Sequence, residues 1–134
     1  MISTGGATVT DPVFGEMKYI FGWVKTMQGV FGGTGFSFLC VAEAKPWEDI
    51  LPAQQKSYKR FIKNEKGTIK RINRALTVLL NSPDGPKIVP RELIFTRDGG
   101  AKFIFDALWD TKKQICLTIY PKMKCEETEY SYLN

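Results

Sequence analysis

Two stretches in the first third of the chain carry the hydrophobic pattern of β-strands. Between Tyr19 and Trp23 an aromatic residue recurs at every second position, which is the two-residue period of a strand. The run 36–42 (FSFLCVA) is apolar on both faces, as expected for a central strand. Because the glycine-rich sequence 29–35 (GVFGGTG) separates them, we predict a long hairpin that turns near Gly32.

The pattern then changes to that of an amphipathic helix. Pro52 suits the first turn, because its fixed φ and missing N–H cost nothing there. At about 100° per residue, the apolar residues of 53–80 fall on one stripe, and its phase continues across Gly67. We therefore expect one long helix or two nearly collinear helices. Glu65 projects onto the apolar stripe, which indicates either a break within 64–67 or a carboxylate used by the core or a ligand.

The second half of the chain predicts further strands. Residues 81–90 (NSPDGPKIVP) read as a stop and turn. The runs 92–96 and 101–109 flank Asp98-Gly99, the dipeptide typical of a type I′ hairpin turn. Residues 113–120 (KQICLTIY) alternate again and add a strand.

These elements predict an α+β fold. We expect an antiparallel sheet of about five strands, two hairpins plus one strand, packed against one long amphipathic helix that is either continuous or broken. We interpret residues 1–134 as a single domain, because no repeat or linker divides them. Residues 1–11 are expected to be a flexible N-terminal arm, and residues 122–134 a polar tail that forms either an edge strand or an arm.

Composition places the chain among globular proteins. It has 134 residues, of which 43% are hydrophobic and 25% charged. No apolar run approaches 18 residues, so we expect no membrane span, and the N-terminus does not read as a signal peptide. The three cysteines form no C-x-x-C pair, which favours reduced thiols and a cytoplasmic location.

The absence of histidine from the sequence excludes several kinds of active site. Ser–His–Asp and Cys–His catalysis and His-ligated zinc all require that residue. The glycine-rich stretch 29–35 lacks the Gly-Lys-Ser/Thr ending of a phosphate-binding loop. Asp106 and Asp110 flank Trp109, but a spacing of four residues in a strand or turn does not by itself bring two carboxylates together. We therefore predict no catalytic residue, no metal site and no cofactor.

One segment carries most of the charge. Residues 56–74 contain eight basic residues and a single acid, Glu65, whereas the net charge of the whole chain is +5. A solvated face of an amphipathic helix also carries charge, but ordinary surface helices usually mix charge signs, so the pattern leaves open a merely solvated face, attraction to an acidic protein or attraction to nucleic acid. The residues that we expect to contact the partner are Lys59, Lys63, Lys66, Lys70 and Arg74.

Two short motifs resemble a known group of proteins. One is Gln54-Gln55 with Tyr58 and Phe61 at the start of the helix, and the other is Phe105-Asp106 with Trp109-Asp110 before a strand. Together they resemble a family of small uncharacterised bacterial α+β domains, some of which resemble toxin-immunity proteins. Members of that family often continue the Trp-Asp pair with Glu-His-Gly, whereas this chain continues with Thr111-Lys112-Lys113. The resemblance implies an α+β domain without assigned catalysis.

The sequence thus leads to two functional hypotheses. The first is a non-enzymatic, cytosolic protein-binding domain, of the type of an immunity protein that inhibits a bacterial toxin. A positively charged inhibitor does not suit a basic nuclease, so either the toxin belongs to another class or the inhibitor binds through a neutral-to-acidic patch elsewhere on its surface. The second is a nucleic-acid-binding module that uses the basic helix face 56–74. The sequence does not define an oligomeric state.

Overall fold

An eight-stranded mixed sheet forms the body of the protein. The computed structural model describes residues 7–129. The strands lie in the sheet in the order in which they occur along the chain. Every neighbouring pair is antiparallel except β4 and β5, which are parallel. The strands are β1 (Thr8–Asp11), β2 (Gly15–Tyr19), β3 (Trp23–Phe31), β4 (Thr34–Ala42), β5 (Ile88–Phe95), β6 (Ala101–Ala107), β7 (Lys113–Tyr120) and β8 (Lys124–Glu129).

The connection between the parallel strands contains three helices. They are α1 (Pro52–Lys63), α2 (Glu65–Ala75) and α3 (Thr77–Leu80). A connection of this length returns the chain to the opposite end of the sheet, so that β5 runs in the same direction as β4. The longest helix has 12 residues, and no helix within residues 7–129 is long and apolar enough to cross a membrane.

The predicted fold class is therefore wrong. The structure has eight strands with one parallel pair, not about five antiparallel strands, and three short helices replace the one long helix. The helical stretch is interrupted at Asn64 and again at Leu76, whose backbone angles are nearly equal (φ −113°, ψ 23° and φ −114°, ψ 22°). At the first interruption the Asn64 side chain donates to the carbonyl of Arg60 at 2.9 Å, a local bond of the kind that competes with a helix. Gly67 lies inside α2.

Two of the additional strands lie in the segments that we expected to be an arm and a polar tail, the second of which we left open as an edge strand. Thr8–Asp11, in the expected arm, pairs with β2, and Lys124–Glu129, in the expected polar tail, pairs with β7. Both strands lie at the outer edges of the sheet, where backbone pairing suffices without an alternating apolar pattern. The ends of the expected arm and tail, 1–6 and 130–134, lie outside the described residues.

The hairpin turns differ from the prediction in type. Gly32 and Gly33 both have positive φ, 60° and 81°, which is the requirement of a type I′ turn, and they join β3 to β4 at the predicted place. Asp98-Gly99 is not a type I′ turn, because only Gly99 has positive φ. The I′ geometry therefore belongs to the first hairpin.

Aromatic side chains fill the space between the helices and one face of the sheet. Phe31 of β3 meets the ring of Phe103 edge-to-face at 5.4 Å, and Phe103 and Phe105 of β6 stack at 5.0 Å. From the helices, Phe61 is fully buried and approaches Phe95 of β5. Burial of this kind supplies most of the stability of a small domain.

Gln54 fixes the position of α1 on the sheet. Its side chain is 0% exposed. The amide oxygen accepts a hydrogen bond from the backbone N–H of Leu51 at 2.9 Å, which caps the first turn of the helix. The amide nitrogen donates to the carbonyls of Glu43 and Phe95, each at 2.9 Å, at the ends of β4 and β5. One side chain therefore joins the helix start to both parallel strands.

Candidate functional site

The helices turn the predicted contact residues toward solvent. Tyr58 and Phe61 of α1, and Thr68 and Ile72 of α2, are buried and therefore fix which side of each helix faces the sheet. The opposite side carries the five basic residues, all of them exposed. We call this set, Lys59, Lys63, Lys66, Lys70 and Arg74, the basic surface.

The charges of the basic surface have no acidic partners within the part of the chain that the structure describes. Ion pairs there involve other cations, as in Arg97–Glu48 at 3.6 Å and Lys113–Glu127 at 3.1 Å. None of the basic-surface residues forms an ion pair with any residue of 7–129. The surface therefore attracts anions without first breaking an internal contact.

Arg60 of α1 is not part of the basic surface, because its side chain contacts Tyr120 of β7. Its guanidinium lies 4.1 Å from the centre of the Tyr120 ring, the geometry of a cation–π contact. Burial raises the pKa of Tyr120, while the Arg60 charge and a hydrogen bond with Thr68 act in the opposite direction. Arg60 is thus tied to β7, unlike the members of the basic surface.

An exposed apolar side chain adjoins the basic surface. Ile62 of α1 remains 41% exposed. It lies one helical turn after Lys59, so these two side chains are neighbours on the surface of α1. An apolar contact surrounded by charged residues is the usual arrangement of a protein-binding patch.

A groove runs between β3 and α2 at one side of the basic surface. Its volume is about 450 Å³. Lys66 and Lys70 belong both to this groove and to the basic surface. The lining residues are Gln28, Gly29, Val30, Glu65, Lys66, Ile69, Lys70 and Asn73.

One wall of the groove is an unpaired strand edge. Within the described residues, β2 pairs only with Trp23 and Val24, the first two residues of β3. The turn of the β1–β2 ribbon packs on α1, where Phe14 stacks on Tyr58 at 4.2 Å and Gln55 donates to Asp11 at 2.8 Å. Lys25 of β3 donates to the carbonyl of Phe14 at 2.6 Å. From Lys25 to Phe31 the strand is therefore paired on its β4 side alone. We call this segment the open edge.

Asn73 of α2 closes the far end of the open edge. Its side-chain oxygen accepts from the backbone N–H of Gly32 at 2.5 Å, and its nitrogen donates to the carbonyl of Val30 at 3.4 Å. Our sequence analysis identified neither Asn73 nor the open edge. Both features depend on residues far apart in the sequence, and no local pattern indicates them.

The carboxylates considered as candidates have local roles. Asp106 pairs with Arg91 at 3.4 Å on the sheet, and Asp110 accepts from the backbone N–H of Lys112 at 2.9 Å within the β6–β7 turn. Glu65 lies in the first turn of α2, where the helix dipole favours a negative charge. Among residues 7–129 no group of three or more cysteine or acidic side chains is placed to hold a metal ion.

The three thiols differ in exposure. Cys40 is buried, Cys116 is partly buried and Cys125 is exposed. Burial raises the pKa of Cys40 to about 12, against the opposing charge of Lys25, and burial is also the main cause of the raised pKa values of Cys116 and Cys125. Raised pKa values keep all three as thiols at neutral pH, which makes them weak nucleophiles.

Comparison of the chain with protein families, with curated proteins and with solved structures gave no match. The resemblance to small bacterial α+β domains therefore stays a prediction.

Proposed function

We propose that this chain is a non-enzymatic protein-binding domain whose basic surface receives an acidic partner protein. The observation that carries the proposal is the set of five exposed cations without ion pairs in the described part of the chain. Like charges held together on one surface repel one another, and an acidic partner would relieve that repulsion.

The surroundings of the cations favour a protein as the partner. Ile62 offers an apolar contact beside Lys59, and the groove between β3 and α2 adds a concave surface beside Lys66 and Lys70. Affinity between proteins depends mostly on a few buried apolar or aromatic anchors, while charges around them steer the encounter. The basic surface has both components.

The test is affinity capture from lysate of the producing cells with three immobilised proteins. The first is the wild type, and the second carries Lys63→Glu, Lys66→Glu and Lys70→Glu. The third carries Lys18→Glu, Lys112→Glu and Lys122→Glu, three exposed lysines outside the helices, and so has the same net charge as the second. Each capture is run with and without nuclease and is read by mass spectrometry.

The expected result is one acidic protein in stoichiometric amount. The wild type and the matched control retain it after nuclease treatment, and the helix variant loses it. Equal retention by both triple variants would contradict the proposal, because net charge rather than the basic surface would then govern binding. Circular dichroism of all three proteins verifies that the fold is unchanged.

Nucleic acid is the second candidate partner, and the same unpaired cations favour it. Phosphate contacts would release counterions, so binding would weaken steeply with salt. Stacking of single-stranded bases is not supported, because the exposed aromatic residues among those described, Phe21, Trp47 and Trp109, lie outside α1 and α2. Recovery of RNA or DNA, with protein lost after nuclease treatment, would replace the first proposal by this one.

An immunity-type inhibitor of a toxin is one form that the proposed binding domain would take. That identity and the cytoplasmic location rest on the sequence analysis and stay predictions. The capture experiment would identify the partner and so show whether it is a toxin.

A further inference from the structure

Along the open edge of β3, the backbone N–H and C=O groups of every second residue point away from β4. In a two-residue hairpin, the residues that flank the turn form a hydrogen-bonded pair, here Phe31 and Thr34. Alternation along the ladder then turns the N–H and C=O groups of Thr26, Gln28 and Val30 away from β4. The hydrogen bond from Asn73 of α2 to the carbonyl of Val30 agrees with this assignment, because it shows that the Val30 carbonyl points away from β4.

Of these six outward backbone groups, five have no hydrogen-bond partner within residues 7–129. Asn73 occupies the Val30 carbonyl, whereas no residue of 7–129 bonds the outward N–H and C=O groups of Thr26 and Gln28. Exposed strand edges of this kind accept a further strand from another chain. About five residues of extended chain would match the free length, at roughly 3.3 Å per residue.

The facing wall of the groove belongs to α2 and combines an apolar residue with positive charges. Ile69 supplies an apolar surface, and Lys66 and Lys70 supply two positive charges near it. Glu65 is the one acidic residue of the lining, so the charge of the groove is positive. Side chains on one face of an added strand would lie between β3 and this wall.

We propose that the open edge binds an extended acidic segment of the partner protein as an added β-strand. The segment would hydrogen-bond to Thr26 and Gln28, and acidic side chains would approach Lys66 and Lys70. This inference rests on the proposed function, since it assigns to the same partner a second element of recognition. Backbone pairing would supply affinity, and the lysines would select an acidic sequence.

Charge and hydrogen bonding favour an acidic peptide at the open edge over a second copy of the chain or a nucleic acid. A second copy of the chain added edge-to-edge would bring two sets of Lys66 and Lys70 toward each other, which is unfavourable. A nucleic acid backbone offers phosphate acceptors but not the alternating donors and acceptors that Thr26 and Gln28 require. An acidic peptide satisfies both the backbone groups and the lysines.

The test begins with a phage-displayed library of random linear dodecapeptides selected on the wild-type protein. A selected peptide is synthesised with a fluorophore, and its affinity is measured by fluorescence polarisation. The affinity of the peptide is then measured for two variants. Gln28→Pro removes one outward N–H while the ladder with β4 remains possible, and Gln28→Ala keeps that N–H. In parallel, single N-methyl groups are placed at successive residues of the peptide and measured on the wild type.

We expect acidic peptides that bind Gln28→Ala within about twofold of wild type and Gln28→Pro at least roughly tenfold more weakly, through lost hydrogen bonds. N-methylation should weaken binding at every second residue only, the period of strand pairing. This second measurement needs no protein variant, so it decides the question even if Gln28→Pro does not fold.

Other results would overturn the inference in distinguishable ways. Peptides that respond to Lys66→Glu and Lys70→Glu but tolerate N-methylation at every position would leave the basic surface as a binding site without strand addition. If no acidic peptide is selected but the basic surface still captures the protein partner, the basic surface would likewise remain as a binding site without strand addition. A wild-type dimer in sedimentation that Gln28→Pro converts to monomer would identify a second copy as the occupant.

Discussion

The side-chain amide of Asn73 lies beside Gly32 in the place that a neighbouring strand would occupy. Gly32 donates its backbone N–H to the Asn73 oxygen at 2.5 Å. The Asn73 nitrogen also donates to the carbonyl of Ile69 in its own helix at 2.9 Å. A single side chain thus joins α2 to the β3–β4 turn and ends the open edge.

Replacement of this amide should destabilise the fold. In Asn73→Ala, the N–H of Gly32 and the carbonyl of Val30 lose their partner, which should lower the free energy of unfolding by about 1–2 kcal/mol. Urea denaturation followed by circular dichroism measures the change. Asn81→Ala, at an exposed position, is the control and should change stability by less than about 0.5 kcal/mol. Equal stability of the two variants would show that the Asn73 contacts contribute nothing net.

The two glycines of the first hairpin should respond differently to alanine. Both have positive φ, which costs an L-residue about 1–2 kcal/mol. A Cβ at Gly32 would also lie 2.5 Å from the carbonyl oxygen of Leu80, whereas a Cβ at Gly33 meets no atom within 4 Å. Gly32→Ala should therefore destabilise by about 3 kcal/mol or more and Gly33→Ala by about 1 kcal/mol. Thermal unfolding of the pair measures the difference, and similar losses would mean that α3 moves away without cost.

Gln54 should be far more sensitive than its neighbour in the sequence. Gln54→Ala removes three hydrogen bonds of a fully buried side chain, to the N–H of Leu51 and to the carbonyls of Glu43 and Phe95, a loss of about 2–4 kcal/mol. Gln55→Ala removes one partly buried bond, to Asp11, and should cost about 1 kcal/mol or less. Chemical denaturation of both variants checks the order, and the reverse order would refute the role assigned to Gln54.

The buried thiol of Cys40 should make stability fall at alkaline pH. Its pKa rises from 9.0 in its ordinary state to about 12 in the folded protein. Below pH 9 the thiol is protonated in both states, and its full contribution is present. As the pH rises from 9 toward 12, the unfolded state loses its proton first, so the free energy of unfolding decreases, by about 1.4 kcal/mol at pH 10.

The comparison protein for this effect is Cys40→Ala. Tyr120, Cys116 and Cys125 also have raised pKa values, and they remain in both proteins. The difference in unfolding free energy between wild type and variant should therefore shrink by about 1.4 kcal/mol between pH 7 and pH 10. A difference that is constant with pH would show that solvent reaches the Cys40 thiol.

The features that depend on neighbours along the chain were predicted from the sequence. The hairpin at Gly32 and the burial of Tyr58 and Phe61 follow from local residue patterns, because turn conformation and helix periodicity act over a few positions. The exposure of the basic surface follows for the same reason, since it lies opposite that buried stripe.

The features that depend on distant residues were missed. The parallel pairing of β4 with β5 depends on which strand edges meet after the helices pack, and no local pattern records it. Pro90 indicated a turn, yet it lies in β5 beside a register shift, where its missing N–H is tolerated. The open edge was missed because β2 pairs only with the first two residues of β3, while the turn of the β1–β2 ribbon packs on α1.

The single parallel pair has a consequence for how the chain folds. On either side of it, every strand pairs with its neighbour in the sequence, so both halves of the sheet form through short loop closures. Only β4 and β5 must meet across the whole segment from Glu43 to Lys87, and such long closures are the slow ones. Because Gln54 bonds the ends of both strands from the start of α1, we expect the docking of this helix to accompany the joining of the two meanders into one sheet.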